Sequence, residues 1–472
     1  MKNGFFIFIK NFSYTITSNL ISLLISTLMV IILPRLIGAK DYGYWQLYLF
    51  YATYVGFFQF GWNDGIYLRY GGKEYIDLDK RLFFSQFWML LFSQIVLASI
   101  LIVSSVIYVN ISDKKSILIM VSLCLIIVGV RAMLLFILQG TNRIKEYAQI
   151  TVMEKALYCF LIIIFLLVGI KEYKIIIVTD LIGKFISLIY AMYCCKDIVY
   201  RRISTFYFSF KEIKENISVG IKLMFANIAS ILIIGTVRFG IEHSWSVTNF
   251  GKVSLTLSVS SLMMLFINAV GIVMFPILRR TDERKLASMY VSIRDILMVL
   301  LFGALIIYYP LKGILSAWLP SYKESLVYMA VLFPMIVFDG KMELLINIYL
   351  KTLRKEKFML RINIISLVLS VIITIITTIV FKNLHLAVVS IVFLLAFRSV
   401  LAELFLSKVL NISIFKDIFL DLVMTLIFIL IAWFINSWNS VILYAVFYGI
   451  YLIIKRYDIV VTLRNLKVFM KA

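Results

Sequence analysis

The sequence predicts an all-α polytopic integral membrane protein. Three observations predict it: an apolar composition, a series of apolar runs of helix length, and basic residues concentrated in every second connection. Of 472 residues, 62% are apolar and 15% charged, with mean hydropathy +1.00, whereas soluble domains carry about 25% charged residues. A soluble protein is excluded. At about 20 to 25 residues per span plus a short connection, the chain holds about twelve to fourteen spans, and no separate catalytic domain fits. A membrane β-barrel fails because its strands alternate in polarity over about ten residues, and these runs stay apolar for about twice that.

About fourteen runs follow in order, each bounded by charge. The first, 14–36, is preceded by an apolar stretch with Lys2 and Lys10, read as an interfacial segment because no small-residue cleavage site follows. The second, 44–63, stops at Asp64 and Arg69, and the third, 83–108, opens after Lys80 and Arg81. Runs 116–138, 149–170 and 174–195 are separated by Arg143 with Lys145 and by Lys171 with Lys174. Run 217–240 follows Lys211 and Lys214, 250–276 runs to Arg279 and Arg280, and 291–316 follows Arg284 and Lys285. Run 325–350 lies between Lys323 and Lys351, 359–381 between Lys357 and Lys382, and 386–408 ends at Lys408. Runs 418–435 and 440–455 close the series after Lys416 and before Arg456.

Lys and Arg mark cytoplasmic connections. The basic-rich set comprises Arg69 to Arg81, Arg143 and Lys145, the connection 196–216, residues 279–285 and 351–357, Lys408 with Lys416, and the tail from Lys455. The poor set holds Arg35 and Lys40, Lys114 and Lys115, Lys171 and Lys174, Lys252, Lys312 and Lys323, and Lys382. Both termini are therefore expected in the cytoplasm. Most of the net charge of +22 is topology signal, which removes the case for nucleic acid. Cys124, Cys159, Cys194 and Cys195 lie in apolar stretches without a CxxC pair and read as packing residues. Only His243 and His385 are present, too little for a histidine metal site, and no metal or cofactor is expected.

The chain repeats itself. Ala39-Lys40-Asp41-Tyr42-Gly43 follows the first run and Thr248-Asn249-Phe250-Gly251 the seventh. Thr141-Asn142-Arg143 and Thr352-Leu353-Arg354 leave the fourth and tenth, and Lys184 and Arg398 continue the series at an offset of about 210 residues. Two halves of about six helices in one orientation, plus two helices at the end, are a transporter architecture. The expected boundaries are 1–200, 201–410 and 411–472.

Leu33-Pro34-Arg35-Leu36-Ile37-Gly38 with Asp41-Tyr42-Gly43, then Gly61-Trp62-Asn63-Asp64-Gly65 and Arg69-Tyr70-Gly71-Gly72-Lys73, resembles the bacterial polysaccharide flippases. Gln139-Gly140-Thr141-Asn142-Arg143 and the exit Phe275-Pro276 to Arg280 fit the same pattern. These flippases move lipid-linked O-antigen or capsule units and belong to the multidrug, oligosaccharidyl-lipid and polysaccharide (MOP) exporter superfamily, with its MATE-like members. The resemblance implies a V-shaped body of two lobes around a cavity that opens alternately to either side of the bacterial cytoplasmic membrane. It also implies a transporter and not an enzyme, with undecaprenyl-diphosphate-linked oligosaccharide as cargo. The partners implied are membrane lipids and the polysaccharide polymerase and chain-length machinery.

Ionisable groups inside apolar spans cost about 2.5 to 3.5 kcal/mol each on insertion scales, so those present mark a cavity or a partner. A diphosphate needs cations along its path, and Arg offers it a two-pronged fork. The candidate cavity cations are Arg238 and Lys222 near the two ends of the seventh run, Lys184 and Arg398 about mid-span in matching places, and Arg131. Against these stand interfacial snorkelling for Lys222 and one-turn pairs for Arg238 with Glu242 and Lys184 with Asp180. Arg238, Arg398 and Arg131 are expected unpaired. The candidate gating or coupling carboxylates are Asp64, poised to pair with Lys222 or to cap its helix end, and Asp339 with Glu343, which share a helix face with Lys341 turned away and should either share a proton or enter a network with a neighbouring helix. Trp45, Tyr48, Tyr51 and Tyr54 at helical spacing suggest interfacial anchors or a sugar-stacking stripe.

No Gly-rich phosphate loop of the ATPase type is present, so a proton or sodium gradient is the expected drive. A drug or metabolite cation antiporter of the same superfamily would want a cavity dominated by unpaired acid, and a polymerase or ligase a long outer loop. Neither is seen in the sequence.

Overall fold

The computed structural model describes the backbone of residues 2–280, 283–435 and 439–469; the side chains of 2–12, 15, 16, 263, 265–280, 283, 284, 356 and 463–469 are outside the described residues. The exit motif ending at Arg280, the N-terminal Lys2 and Lys10, and the basic tail beyond Thr462 therefore fall outside it. The chain forms two compact units, Met1–Ile228 and Ala229–Ala472.

The first unit comprises α1 (Lys2–Ile37), α2 (Ala39–Ala52), α3 (Trp62–Tyr70), α4 (Lys80–Tyr108), α5 (Ser112–Gly140), α6 (Ile144–Leu167), α7 (Tyr173–Cys194), the single turn α8 (Lys196–Val199) and the start of α9 (Phe210–Ser244). The second continues with α10 (Val247–Arg280), α11 (Glu283–Ala304), α12 (Tyr308–Trp318), α13 (Met329–Leu332), α14 (Met335–Lys341), α15 (Asn347–Thr352), α16 (Glu356–Thr374), α17 (Leu384–Leu410), α18 (Phe415–Phe434) and α19 (Asn439–Phe469).

Among the described residues, 11 helices are long and apolar enough to span a membrane, fewer than the run count suggested. Two of the expected runs are not single helices. Run 44–63 ends as α2 at Ala52, passes through a 3-10 turn at Val55–Gln59 and reverses at Phe60 and Gly61, whose φ angles are 53° and 80°, before α3 begins. Run 325–350 is split into α13, α14 and α15, with a π-helical turn at Met342–Ile346. A third, 250–276, lies in α10, where half of the side chains are outside the described residues. Composition cannot report such breaks, because the residues on either side are equally apolar.

Broken backbone at membrane depth persists only where protein or a water-filled space satisfies it. Around the first break, Asn63 Nδ2 donates to the Gly129 carbonyl at 2.9 Å and Gln94 Nε2 to the Phe58 carbonyl at 3.4 Å. Both donors come from fully buried side chains. The break also lets α3 lie directly against α9. A Cβ on Gly61 would stand 2.6 Å from the Ile221 nitrogen, and one on Gly65 or Gly220 would overlap the backbone of Asn216 or Gly61.

Backbone cannot swing aside as a side chain can, so Gly220→Ala is expected to cost at least about 3 kcal/mol, the upper end of the overpacking range. The readout is the monodisperse peak in fluorescence-detected size-exclusion chromatography, lost in Gly220→Ala and kept in Gly449→Ala, where a Cβ meets nothing within 4 Å.

In the first unit α5 is the hub, packing on α2, α3, α4, α6 and α7. Phe83, Phe87, Leu90, Met133, Leu134 and Leu138 fill the centre with Trp62 and Ile66 of α3. Cys195 is part of this core and fully buried, a packing residue. In the second unit α14 packs on α10, α11 and α17, while α11 runs along α19.

The connections leaving α5 and α15 share one geometry. Asn142 and Arg354 both adopt left-handed backbone, at φ 61° and 54°. The next amide in each case, Arg143 or Lys355, bonds the carbonyl five residues back, at 2.8 and 2.7 Å. This is the glycine-type helix stop, built without glycine at places about 212 residues apart, the spacing of the sequence repeat.

Candidate functional site

The candidate residues fall on helices that the apolar code alone would make uniform. In the first unit α7 approaches α6 closely at Gly183, where a Cβ would stand 3.0 Å from the Glu154 carbonyl oxygen. That approach brings four charged side chains together. Arg131 of α5 forms an ion pair with Glu154 of α6 and donates to Ser187 Oγ of α7 at 2.9 Å. Ser187 donates in turn to the Lys184 carbonyl at 2.7 Å. Lys184 pairs with Asp180 one turn away, and Tyr48 of α2 donates to the same Asp180 carboxylate at 2.7 Å.

Arg131 and Lys184 are thus joined in one cluster, but each is neutralised. The expectation that Arg131 is unpaired is corrected: Glu154 lies one helix away, and pairing removes the cost of holding either charge in an apolar span. The one-turn Asp180 pair accounts for Lys184. Trp45 and Tyr48, 4% and 0% exposed, are neither anchors nor an open stacking stripe. Trp45 packs at 5.5 Å on Tyr48 and 5.8 Å on Tyr158.

At the end of this unit Arg69 of α3 spans three residues of α9, bonding Glu212 and Asn216 at 2.6 Å and Glu215 at 2.7 Å. Tyr70 donates to Glu212 at 2.6 Å, and burial together with that bond holds its phenol well above the ordinary range, so it stays a donor. Asp64, in the first turn of α3, is partly buried, while Lys222 is exposed. The two form no ion pair, which corrects the proposed closure between them. Lys222 has open surroundings to reach into, and its charge needs no carboxylate there.

The second unit holds a network that sequence reasoning missed. Arg294 of α11 bonds Glu403 of α17 and Asp421 of α18, both at 2.6 Å. Lys341 of α14 bonds the same two carboxylates at 2.6 and 3.1 Å. Two cations and two anions close a ring of zero net charge across four helices, and no member's side chain is more than 2% exposed. Tyr290 donates to Glu403 at 3.4 Å. Lys341, expected to turn away from Asp339 and Glu343, does so and bonds Glu403 and Asp421 in this ring. Close by, Lys455 of α19 sits among Asp295, Asp417 and Asp458. Glu403 lies inside the apolar run 386–408, and Arg294, Asp295 and Asp421 lie inside runs 291–316 and 418–435 near their starts, where a charge is easily taken for an interfacial one.

Arg398 of α17 sits outside the ring. Its Nε donates to Asn363 Oδ1 of α16 at 3.0 Å and its Nη1 is 4.0 Å from Asp339 Oδ1 of α14. Its Nη2 is buried without a hydrogen-bond partner among the described residues. The expected unpaired Arg398 is therefore corrected to a loosely paired one, the partner being supplied by another helix. Asp339 and Glu343 are separately engaged: Glu343 accepts from Asn347 at 2.9 Å. Arg238 of α9 is half-buried, donates to Ser254 Oγ at 3.1 Å and lies 5.3 Å from the Phe250 ring centre. Its expected unpaired state is likewise replaced by these contacts.

These helices define a polytopic membrane protein with the fold of the MOP-superfamily transporters. The structure resembles an inward-facing multidrug resistance MATE family transporter of that superfamily, at TM-score 0.64 and 11% identity over 83% of this chain and 98% of the other. It also resembles the lipid II flippase MurJ in an inward closed conformation, at TM-score 0.64 and 12% identity over 98% of this chain and 99% of that one. No curated protein matches the sequence. Residues 8–239, just under half of the chain, match the family described as "Polysaccharide biosynthesis protein".

Proposed function

We propose that this protein flips an undecaprenyl-diphosphate-linked oligosaccharide, a repeat unit of a surface polysaccharide, across the bacterial cytoplasmic membrane by alternating access. The observation that carries the reading is the family match over residues 8–239. The fold supports transport but does not choose the cargo, since a drug transporter and a lipid flippase resemble it equally.

Within this reading Arg398 is the cation that receives the diphosphate. Its contact with Asp339 is the longest of the interhelical ion pairs described, 4.0 Å against 2.6 Å in the ring, and Asp339 is the more open partner at 17% exposure. A diphosphate displaces that carboxylate at little cost and gains the fork of the guanidinium, including the unused Nη2. Protonation or cation binding at Asp339 prepares the exchange, and its ionised form resets the site by reclaiming Arg398. Glu343, Asp64, Lys222 and Arg238 are proposed as further stations. Arg131 and Lys184, already neutralised, are proposed to act only if their pairs open. Both termini are proposed to be cytoplasmic, and the two end helices to follow two six-helix halves.

A strain lacking the gene is expected to accumulate lipid-linked repeat units on the inner leaflet and to lose surface polysaccharide. Intact polysaccharide with altered drug tolerance would establish the cation antiporter instead.

A further inference from the structure

A cavity of about 620 Å³ lies in the second unit, among α12, α18, α19 and the turns between Pro320 and Tyr328. Tyr308, Tyr309 and Lys312 line it from α12, Lys323 and Glu324 from the turn that follows, and Ala432 and Val441 from the two last helices. Glu324 is 3.9 Å from Lys252 and its side chain is 93% exposed. Lysine is scarce on this face. In the second half of the chain the basic-poor connections hold Lys252, Lys312, Lys323 and Lys382; Lys312 and Lys323 line this cavity, and Lys252 reaches its edge beside Glu324. The positive-inside bias disfavours such a gathering, and an anion in the cavity would offset it.

The rim gives the depth. Trp318 is 38% exposed, and Tyr328 contacts His385 and Trp433 with ring centres 5.3 and 6.5 Å away. Trp and Tyr concentrate where headgroups meet the hydrocarbon, and lysine stems reach to the same level. Within the lining, Tyr309 is 8% exposed and its hydroxyl has no hydrogen-bond partner among the described residues. Tyrosine and lysine donors above the apolar Leu326 and Val327 suit the phosphate of an amphiphile. The lining holds no Asn, Gln or Asp among the described residues, the side chains a glycan's hydroxyls would use.

We propose that this cavity is a binding site for the phosphate headgroup of an anionic phospholipid in the leaflet on the basic-poor face. The site is separate from the cargo path and does not depend on the cargo's identity. Native mass spectrometry of the full chain, titrated with phosphatidylglycerol or phosphatidylcholine, reads it directly. Wild type is expected to prefer phosphatidylglycerol by about tenfold or more. Lys312→Gln with Lys323→Gln should bring the two lipids to within about twofold, and Tyr309→Phe should weaken the preference several-fold. Lys323→Glu alone, at an exposed position that puts folding at no risk, should invert the preference. The proposal fails if Lys323→Glu and the double variant keep the wild-type preference. It fails equally if inorganic phosphate, or a short polyprenyl diphosphate, displaces phosphatidylglycerol at equal concentration.

Discussion

Glu403→Ala is expected to cost the protein about 3 to 5 kcal/mol, the penalty for breaking a buried ion pair by removing one partner. The change leaves Arg294 and Lys341 facing Asp421 alone, two buried cations on one carboxylate, with none of the three side chains more than 2% exposed. Desolvation, and not the lost attraction, sets the size of the effect. The charge-balanced change Lys341→Met with Asp421→Asn should therefore be milder than Glu403→Ala although it removes two charges. It keeps the 2.6 Å Arg294–Glu403 pair and leaves no net charge. Thermal unfolding of the purified protein in detergent, followed by light scattering, checks the order. A Glu403→Ala protein that melts with wild type would mean the ring does not hold α11, α14, α17 and α18 together.

Arg398→Ala is expected to fold normally and to lose transport by a factor of about ten or more, equivalent to at least about 1.4 kcal/mol of lost cargo stabilisation. Folding survives because the carboxylate it abandons, Asp339, is partly open and can be hydrated. Arg398→Lys should recover only part of the activity, since an ammonium is a point charge and cannot present two parallel donors to a diphosphate. Asp339→Asn should separate binding from turnover: cargo binds, and the site is not reset. Measuring cargo binding and transport on the same purified variants distinguishes the two roles. Equal transport by Arg398→Ala and wild type would remove Arg398 from the path.

The class of fold was legible because hydrophobicity acts over whole helices, and a span of about twenty residues averages out local detail. The breaks at Phe60–Gly61 and at Met342–Ile346 were not, because they depend on partners far along the chain, such as Gly129 and Gln94 receiving the first. The same limit governs the charges. That Lys184 pairs with Asp180 is a one-turn relation that a sequence carries. That Arg131 meets Glu154, or Lys341 meets Asp421, depends on which helix faces travel together, which spacing along one helix does not encode. Arg398, expected unpaired, draws its partners Asn363 and Asp339 from two other helices. The signal that would have found the ring was present: every ionisable residue within a run costs insertion energy, including those near run ends.

The cargo proposed for this protein is a diphosphate-linked oligosaccharide lipid. The direct test is a vesicle assay with the purified protein and a polyprenyl-diphosphate oligosaccharide bearing a fluorescent sugar, reading how much of the label a membrane-impermeant quencher reaches with time. Wild type under an imposed proton or sodium gradient should equilibrate the label between leaflets, and the Arg398→Ala protein should leave it where it was loaded. Label that stays in its original leaflet with folded wild-type protein under both gradients, while a lipophilic cation is exchanged, would contradict the account.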